Sequence, residues 1–267
     1  MTSDPLPLTV LVVVAAGFGL LVGSFLNVVI VRVPQDLSVV TPRSACPTCG
    51  EPISGWDNVP VLSWLLLRGR SRCCDERISL LYPVVEAVTG VAFALVVAWK
   101  GWSWEILPLL YLAAISIALA VIDYQVHRLP DLITFPSYPV AAILLTVVAL
   151  AEGEPRRTIG AAVGGVVLWG FYFLLWRVNS RGMGWGDIKL GGILGMYLGW
   201  YGWEETAVGA FAAFLTGAVV GIVAMLFFGA TRKSAIPFGP FMLAGAWLGL
   251  IWGSPLVDWY LRLSGLR

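Results

Sequence analysis

Two aspartates stand where apolar runs meet polar loops. Asp123 closes the run Leu119-Ala120-Val121-Ile122-Asp123-Tyr124, and Asp187 opens another in Gly184-Trp185-Gly186-Asp187-Ile188-Lys189-Leu190. A carboxylate near hydrocarbon depth is costly, so an acid there points to function. Two carboxylates brought together cannot both ionise easily and share one proton. Such a pair titrates as a unit, taking a proton from water and giving one to a leaving nitrogen, as amide hydrolysis requires. The bland alternatives are a headgroup-level cap for Asp123 and a helix N-cap for Asp187. Gly182, Gly184 and Gly186 exceed what a cap needs and let the backbone approach another chain without side-chain clash. A third acid, Asp131, follows Pro130 and reads as a cap beside the pair.

The second candidate centre is the cysteine set Cys46, Cys49, Cys73 and Cys74, all within residues 32–77. That stretch is the only long polar segment and is long enough for a small metal-clasped domain. The chain has 1 histidine, His127, which excludes sites built on two or three histidines and any His-Glu-x-x-His. A serine intramembrane protease would need His127 as its base, and no Gly-x-Ser-Gly string occurs. His127 itself reads as an interfacial residue facing headgroups.

The elements that must position these residues follow from composition. The 267 residues are 58% hydrophobic and only 12% charged, with mean hydropathy +0.84. Soluble domains carry about a quarter charged residues, so the chain reads as an all-α polytopic membrane protein. A net charge of +1 excludes a strongly basic nucleic-acid binder. Spans of roughly 20 apolar residues are expected at 8–31, 78–99, 104–122, 132–151, 159–175, 188–203, 207–228 and 238–252, about eight in all. The first is longer than a signal-peptide core, with no Lys or Arg before it and no Ala-x-Ala after it, so it reads as a retained helix. Trp99, Trp102, Trp104, Trp200, Trp203 and Trp252 cluster at span ends like an aromatic belt.

Loop charges set the orientation. With the N-terminus outside, twelve of the 17 Lys and Arg fall inside, Arg181, Arg232 and Lys233 among them, and five fall outside, Arg267 among them. Both termini are then outside, while residues 32–77, Asp123 and Asp187 are at the cytosolic face. Glu152, Glu154, Glu204 and Glu205 are expected in outer loops. Small residues recur every fourth position at Gly19 and Gly23, at Gly191, Gly195 and Gly199, and at Ala213, Gly217 and Gly221, as helix packing in lipid requires. Asn27 lies within the first span and can bond another helix; Glu86 lies within the second and is expected to face the interior and support the site. Lys189 either helps hold Asp187 charged or anchors its helix at the interface.

Gly184-Trp185-Gly186-Asp187 resembles the Gly-x-Gly-Asp signature that presenilin and signal peptide peptidase share. The surrounding residues narrow the resemblance to bacterial type IV prepilin peptidases. Gly23-Ser24-Phe25-Leu26-Asn27-Val28-Val29-Ile30 with Arg32 and Pro34 is similar to that family's first helix. Asn58-Val59-Pro60-Val61-Leu62-Ser63-Trp64-Leu65, Arg68-Gly69-Arg70, Ile78-Ser79, Tyr82-Pro83 and Glu86 are similar to its cytosolic loop. Leu129-Pro130-Asp131 and Ile236-Pro237-Phe238-Gly239-Pro240-Phe241 complete the match, which runs from about Gly19 to about Gly245. The resemblance implies an aspartyl endopeptidase, with Asp123 and Asp187 catalytic, that removes the short basic leader of type IV prepilins or pseudopilins at the cytosolic face. It also implies N-methylation of the new N-terminus from S-adenosylmethionine.

The cysteine loop departs from the family's two Cys-x-x-Cys pairs. Cys46-Pro47-Thr48-Cys49 is the first pair; in Ser71-Arg72-Cys73-Cys74, Ser71 stands at the expected cysteine and Cys73 is the candidate substitute. Four thiolates suit tetrahedral zinc, and a cytosolic loop disfavours structural disulfides. The expected parts are a first transmembrane helix (1–31), a cysteine loop with zinc (32–77) and a membrane peptidase core (78–267), with prepilins and lipid as partners and no nucleic acid. Competing readings are a presenilin-like protease of other membrane segments and a transporter using the carboxylates. The cysteine loop and the first-helix motif weigh against the first, and acids at one face with no visible internal repeat weigh against the second.

Overall fold

In lipid every backbone N–H and C=O must bond within its own segment, so long apolar runs fold as helices. The computed structural model describes residues 7–46, 48–179, 183–229, 231 and 236–266. Gly182, Arg181, Arg232, Lys233 and Arg267, named above, lie outside the described residues. The helices are α1 (Leu8–Arg32), the short α2 (Leu62–Leu66), α3 (Leu81–Lys100), α4 (Ile106–Val126), α5 (Asp131–Ala151), α6 (Arg156–Val178), α7 (Trp185–Tyr201), α8 (Trp203–Phe227) and α9 (Gly239–Leu263). Among the described residues, seven are long and apolar enough to cross a membrane. Their outward side chains, such as Val13, Leu21, Val166 and Leu226, are exposed, as a hydrocarbon solvent allows. The eighth long helix, α7, has 17 residues. It packs against α5, α6, α8 and α9 and is the most buried helix of its unit, so protein rather than lipid surrounds it.

The chain divides within α4 into two compact units, residues 1–118 and 119–267. In the first, α1 lies along α3. A Cβ on Gly23 would sit 2.7 Å from Glu86 Cα, so only glycine permits that approach. Asn27 lies in this contact and donates to Tyr82 O at 3.1 Å, the interhelical bond its position led us to expect.

In the second unit, α6 runs along α7 and α8 along α9. A Cβ on Gly164 would sit 2.4 Å from Gly195 O, and one on Gly195 would sit 2.3 Å from Gly164 O. Gly195 and Gly199 of α7 therefore form a backbone-to-backbone seam with α6, while Gly191 makes room for the Tyr172 ring.

Three element ends differ from expectation. The expected spans left residues 204–206 as an outer loop, but α7 breaks at Gly202 alone and α8 starts at Trp203. Glu204 and Glu205 therefore lie in the first turn of α8, where the helix dipole favours acids. Glu205 is buried and accepts the Ser254 hydroxyl of α9. The last helix continues past Trp252 through Pro255 to Leu263.

The seam predicts a sharp contrast between two glycines of one helix. Gly164→Val should cost about 1–3 kcal/mol through overpacking. Gly170 has nothing within 4 Å of a built Cβ, so Gly170→Ala should change stability by at most about 1 kcal/mol, in the stabilising direction. Thermal unfolding of both variants in detergent is the check.

Candidate active site and metal centre

The last turn of α4 is anchored by Leu119 and Ile122, both fully buried, which carries Asp123 to 5% exposure. Its Oδ2 accepts the backbone N–H of Gly239, the first residue of α9, at 3.0 Å. A Cβ on Gly239 would lie 2.6 Å from that oxygen, so the position demands glycine. Asp187 is the third residue of α7 and 7% exposed. Its Oδ2 accepts the N–H of Gly184, the N-cap residue, at 2.8 Å.

Leu129 fills the space between these two helix starts. A Cβ on Gly186 would lie 2.8 Å from Leu129 Cβ, and one on Gly239 would lie 3.4 Å from Leu129 Cδ2. The two carboxylates are near enough for the charge of Asp123 to act on Asp187. Each uses Oδ2 to grip a backbone N–H, and neither Oδ1 has a hydrogen-bond partner among the described residues. The positive ends of α7 and α9 both face the pair. Such a site holds two carboxyl groups in fixed orientation with one free oxygen apiece.

The neighbours resolve two open readings. Lys189 pairs with Asp131 Oδ1 and lies 4.7 Å from the Phe135 ring, so it ties α7 to α5 rather than neutralising Asp187. Tyr138 Oη reinforces the tie by donating to Lys189 O at 2.7 Å. Asp131 opens α5 after Pro130 and makes no capping hydrogen bond. His127 is exposed and takes φ 52° just past the end of α4, a left-handed stop to the helix.

The first unit holds the cysteine cluster, built from two equivalent turns. In one, Cys46 N–H donates to Glu51 O (2.9 Å), Gly50 N–H donates to Cys46 O (2.9 Å), and Ala45 bridges Pro52. In the other, Ser71 N–H donates to Glu76 O (2.8 Å), Asp75 N–H donates to Ser71 O (3.0 Å), and Arg70 bridges Arg77. Gly50 and Asp75, at matching places, have φ 73° and 57°. Ser71 thus occupies the place of Cys46, Cys74 that of Cys49, and Cys73 that of Thr48.

All four sulfurs lie within 4.8 Å of one another. Cys46 to Cys74 is 3.6 Å, Cys49 to Cys73 is 3.1 Å and Cys73 to Cys74 is 3.8 Å. Tetrahedral bonds of about 2.3 Å set sulfurs roughly 3.8 Å apart, so the cluster can bind a metal ion. The backbone N–H groups of Cys49 and Thr48 hold the Cys46 thiol down at about 6, already suited to thiolate ligation. The Cys49 sulfur, in hydrogen-bond contact at 3.1 Å, pushes the Cys73 thiol up to about 12.

Glu86 faces the interior, as expected, but what it supports is this loop. Its Oε2 accepts the N–H of Val61 at 2.7 Å, where Val61 has φ 60°, unusual for a β-branched residue. Trp64 Nε1 donates to Ile78 O at 3.2 Å and closes the same loop. Gly239 and Leu129 had no assigned role in the sequence reading; their only signal was membership of two quoted motifs.

Comparison with known proteins gives two family matches. Residues 18–100 match the bacterial peptidase A24 N-terminal domain, and residues 110–226 match the type IV leader peptidase family. Proteins called prepilin leader peptidase/N-methyltransferase are similar over most of the chain. The one from Aeromonas hydrophila is 35% identical, covering 91% of each chain. The one from Xanthomonas campestris pv. campestris is 34% identical, covering 95% of each. The one from Myxococcus xanthus is 42% identical over 78% of this chain and 61% of its own. No solved structure matches.

The equivalence of the two turns yields a metal-binding test. Cobalt(II) added to the purified chain should bind at about one per chain with a tetrahedral thiolate spectrum. Cys73→Ser should lose that spectrum, and adding Ser71→Cys to it should restore the spectrum by returning the ligand to the turn's first place. An unchanged spectrum in Cys73→Ser would remove Cys73 from the ligand set.

Proposed function

This chain belongs to the type IV leader peptidase family, and we propose that Asp123 and Asp187 are the acid pair with which it removes the leader of type IV prepilins or pseudopilins. The observation that carries the reading is the pair of carboxylates gripped through Oδ2 by the N–H groups of Gly239 and Gly184, each with no Oδ1 partner among the described residues. One ionised oxygen takes a proton from water as the water oxygen bonds to the scissile carbonyl carbon. The other carboxyl gives its proton to the amide nitrogen as the C–N bond breaks, and the pair ends with one proton, as it began. The fixed N–H groups keep the oxygens oriented through the cycle, so little reorganisation accompanies the reaction.

The family's relatives carry N-methyltransferase in their names, and we extend that activity to this chain, with S-adenosylmethionine as methyl donor. Among the described residues there is no strand followed by a glycine-rich loop to cradle a nucleotide. For the cysteine cluster we propose zinc held by Cys46, Cys49, Cys73 and Cys74. The ion would clasp the loop, supplying folding free energy that its few apolar residues cannot. The two acids complete the hydrolytic step between them, so zinc is given no part in it. We place the peptidase core within residues 78–267 and the protein in the inner membrane, spanning it several times. Both termini are outside, and the cysteine loop and acid pair are at the cytosolic face, on the Lys and Arg imbalance.

Asp123→Asn and Asp187→Asn should each abolish leader removal, a loss of about 10²–10⁴-fold or more, while the protein still accumulates in the membrane. Mass spectrometry of the N-terminus of a co-expressed prepilin reads both the cut and the methyl group. Full cleavage by either variant would strike that acid from the pair.

Orientation has its own test. Alkaline phosphatase fused after Arg157 should be active, and fused after Thr231 inactive. The reverse pattern would put the acid pair on the outer side.

A further inference from the structure

The acids of residues 119–267 are few, and most are at the wrong end for the reaction. Glu152 and Glu154 lie where α5 gives way to α6, Glu204 and Glu205 where α8 begins, and Asp258 in the last turns of α9. Asp123 and Asp187 are buried and face each other's charge. That leaves Asp131 as the one exposed acid in this unit at the end that carries the pair. Cations at the same end include Arg128, Arg177 and Lys189.

Asp131 is well placed to meet an incoming chain. It follows by two residues Leu129, which packs against the helix starts on either side of the acid pair. Its side chain is 59% exposed, whereas that of its partner Lys189 is 12% exposed. Lys189 uses Oδ1; Oδ2 has no partner among the described residues. Lys189 also rests on the face of Phe135 at 4.7 Å, so it keeps an attractive contact when a second cation draws on the same carboxylate.

A peptide segment on the cytosolic side of a membrane anchor carries an excess of Lys and Arg. Such a segment approaching the acid pair would be repelled by Arg128, Arg177 and Lys189; beyond the buried charge that the pair itself shares, the acid of this unit exposed to attract it is Asp131. We propose that Asp131 is a specificity residue: it receives a lysine or arginine side chain of the leader, next to the bond that Asp123 and Asp187 cut. This rests on the peptidase reading above. It gives Asp131 a task in substrate choice, separate from the chemistry.

The test pairs enzyme and substrate changes. A prepilin with a Lys- or Arg-containing leader, and the same prepilin with those residues changed to alanine, are cleaved by wild type and by Asp131→Asn in membranes. Wild type should show a KM about fivefold lower for the basic leader, the strength of a partly exposed ion pair. Asp131→Asn should lose that preference, and Asp131→Glu should keep it. Asp131→Lys should instead prefer a leader whose basic residue is changed to glutamate.

A purely structural role for Asp131 would raise KM equally for both leaders and leave the preference intact, which would overturn the inference. Equal KM values in wild type would overturn it without any variant, whether or not Asp131→Asn folds. If wild type cut neither substrate, the peptidase reading would fall, and this inference with it.

Discussion

Holding negative charge at the edge of hydrocarbon, where little water can solvate it, is the constraint around which the second unit is arranged. A bare carboxylate there is expensive. The chain meets this with backbone rather than with cations: Gly239 N–H bonds Asp123, and Gly184 N–H bonds Asp187. A lysine salt bridge would have held one acid ionised and spoiled the sharing of a proton. The nearest lysine in sequence, Lys189, is instead drawn to Asp131. Neutral donors at helix starts stabilise charge without fixing which of the two acids carries the proton.

That solution dictates the packing. Backbone N–H groups point at a side chain only if their helices start at the right place, so α7 and α9 must begin beside the last turn of α4. Leu129 holds the two starts apart through contacts at Gly186 and Gly239. The glycine seam between α6 and α7 then sets α7 deep among four neighbours, in contact range of the Gly160 and Gly164 backbones. A larger residue anywhere along that seam would push α7 outward and carry Asp187 with it. The row of small residues in α7 is thus coupled to Asp187 through one rigid helix.

Acids in apolar runs are conspicuous, which is why Asp123 and Asp187 are legible in the sequence. Their partners are not, because a backbone N–H leaves no mark on residue type. Gly239 could have been glycine for any reason, and only its 3.0 Å bond to Asp123 assigns one. The helices are legible from hydropathy, but Trp200-Tyr201-Gly202-Trp203 reads as continuous apolar chain, so the break at Gly202 is hidden. Pro255 misleads in the opposite sense. It looks like a stop, yet α9 passes through it, with the adjoining Ser254 bonded to buried Glu205.

The cysteine loop shows how two equivalent turns can gather four sulfurs without identical residues at matching places. Because the two turns share one hydrogen-bond pattern, the place of Ser71 is fixed by backbone geometry, not by a sulfur. Its hydroxyl serves that geometry, accepting the N–H of Glu76 at 3.1 Å and lying 3.2 Å from the Cys74 sulfur. Cys73, two residues along, reaches the same cluster from the matching place of Thr48. The shift leaves both turns intact and changes only the direction from which the fourth sulfur arrives.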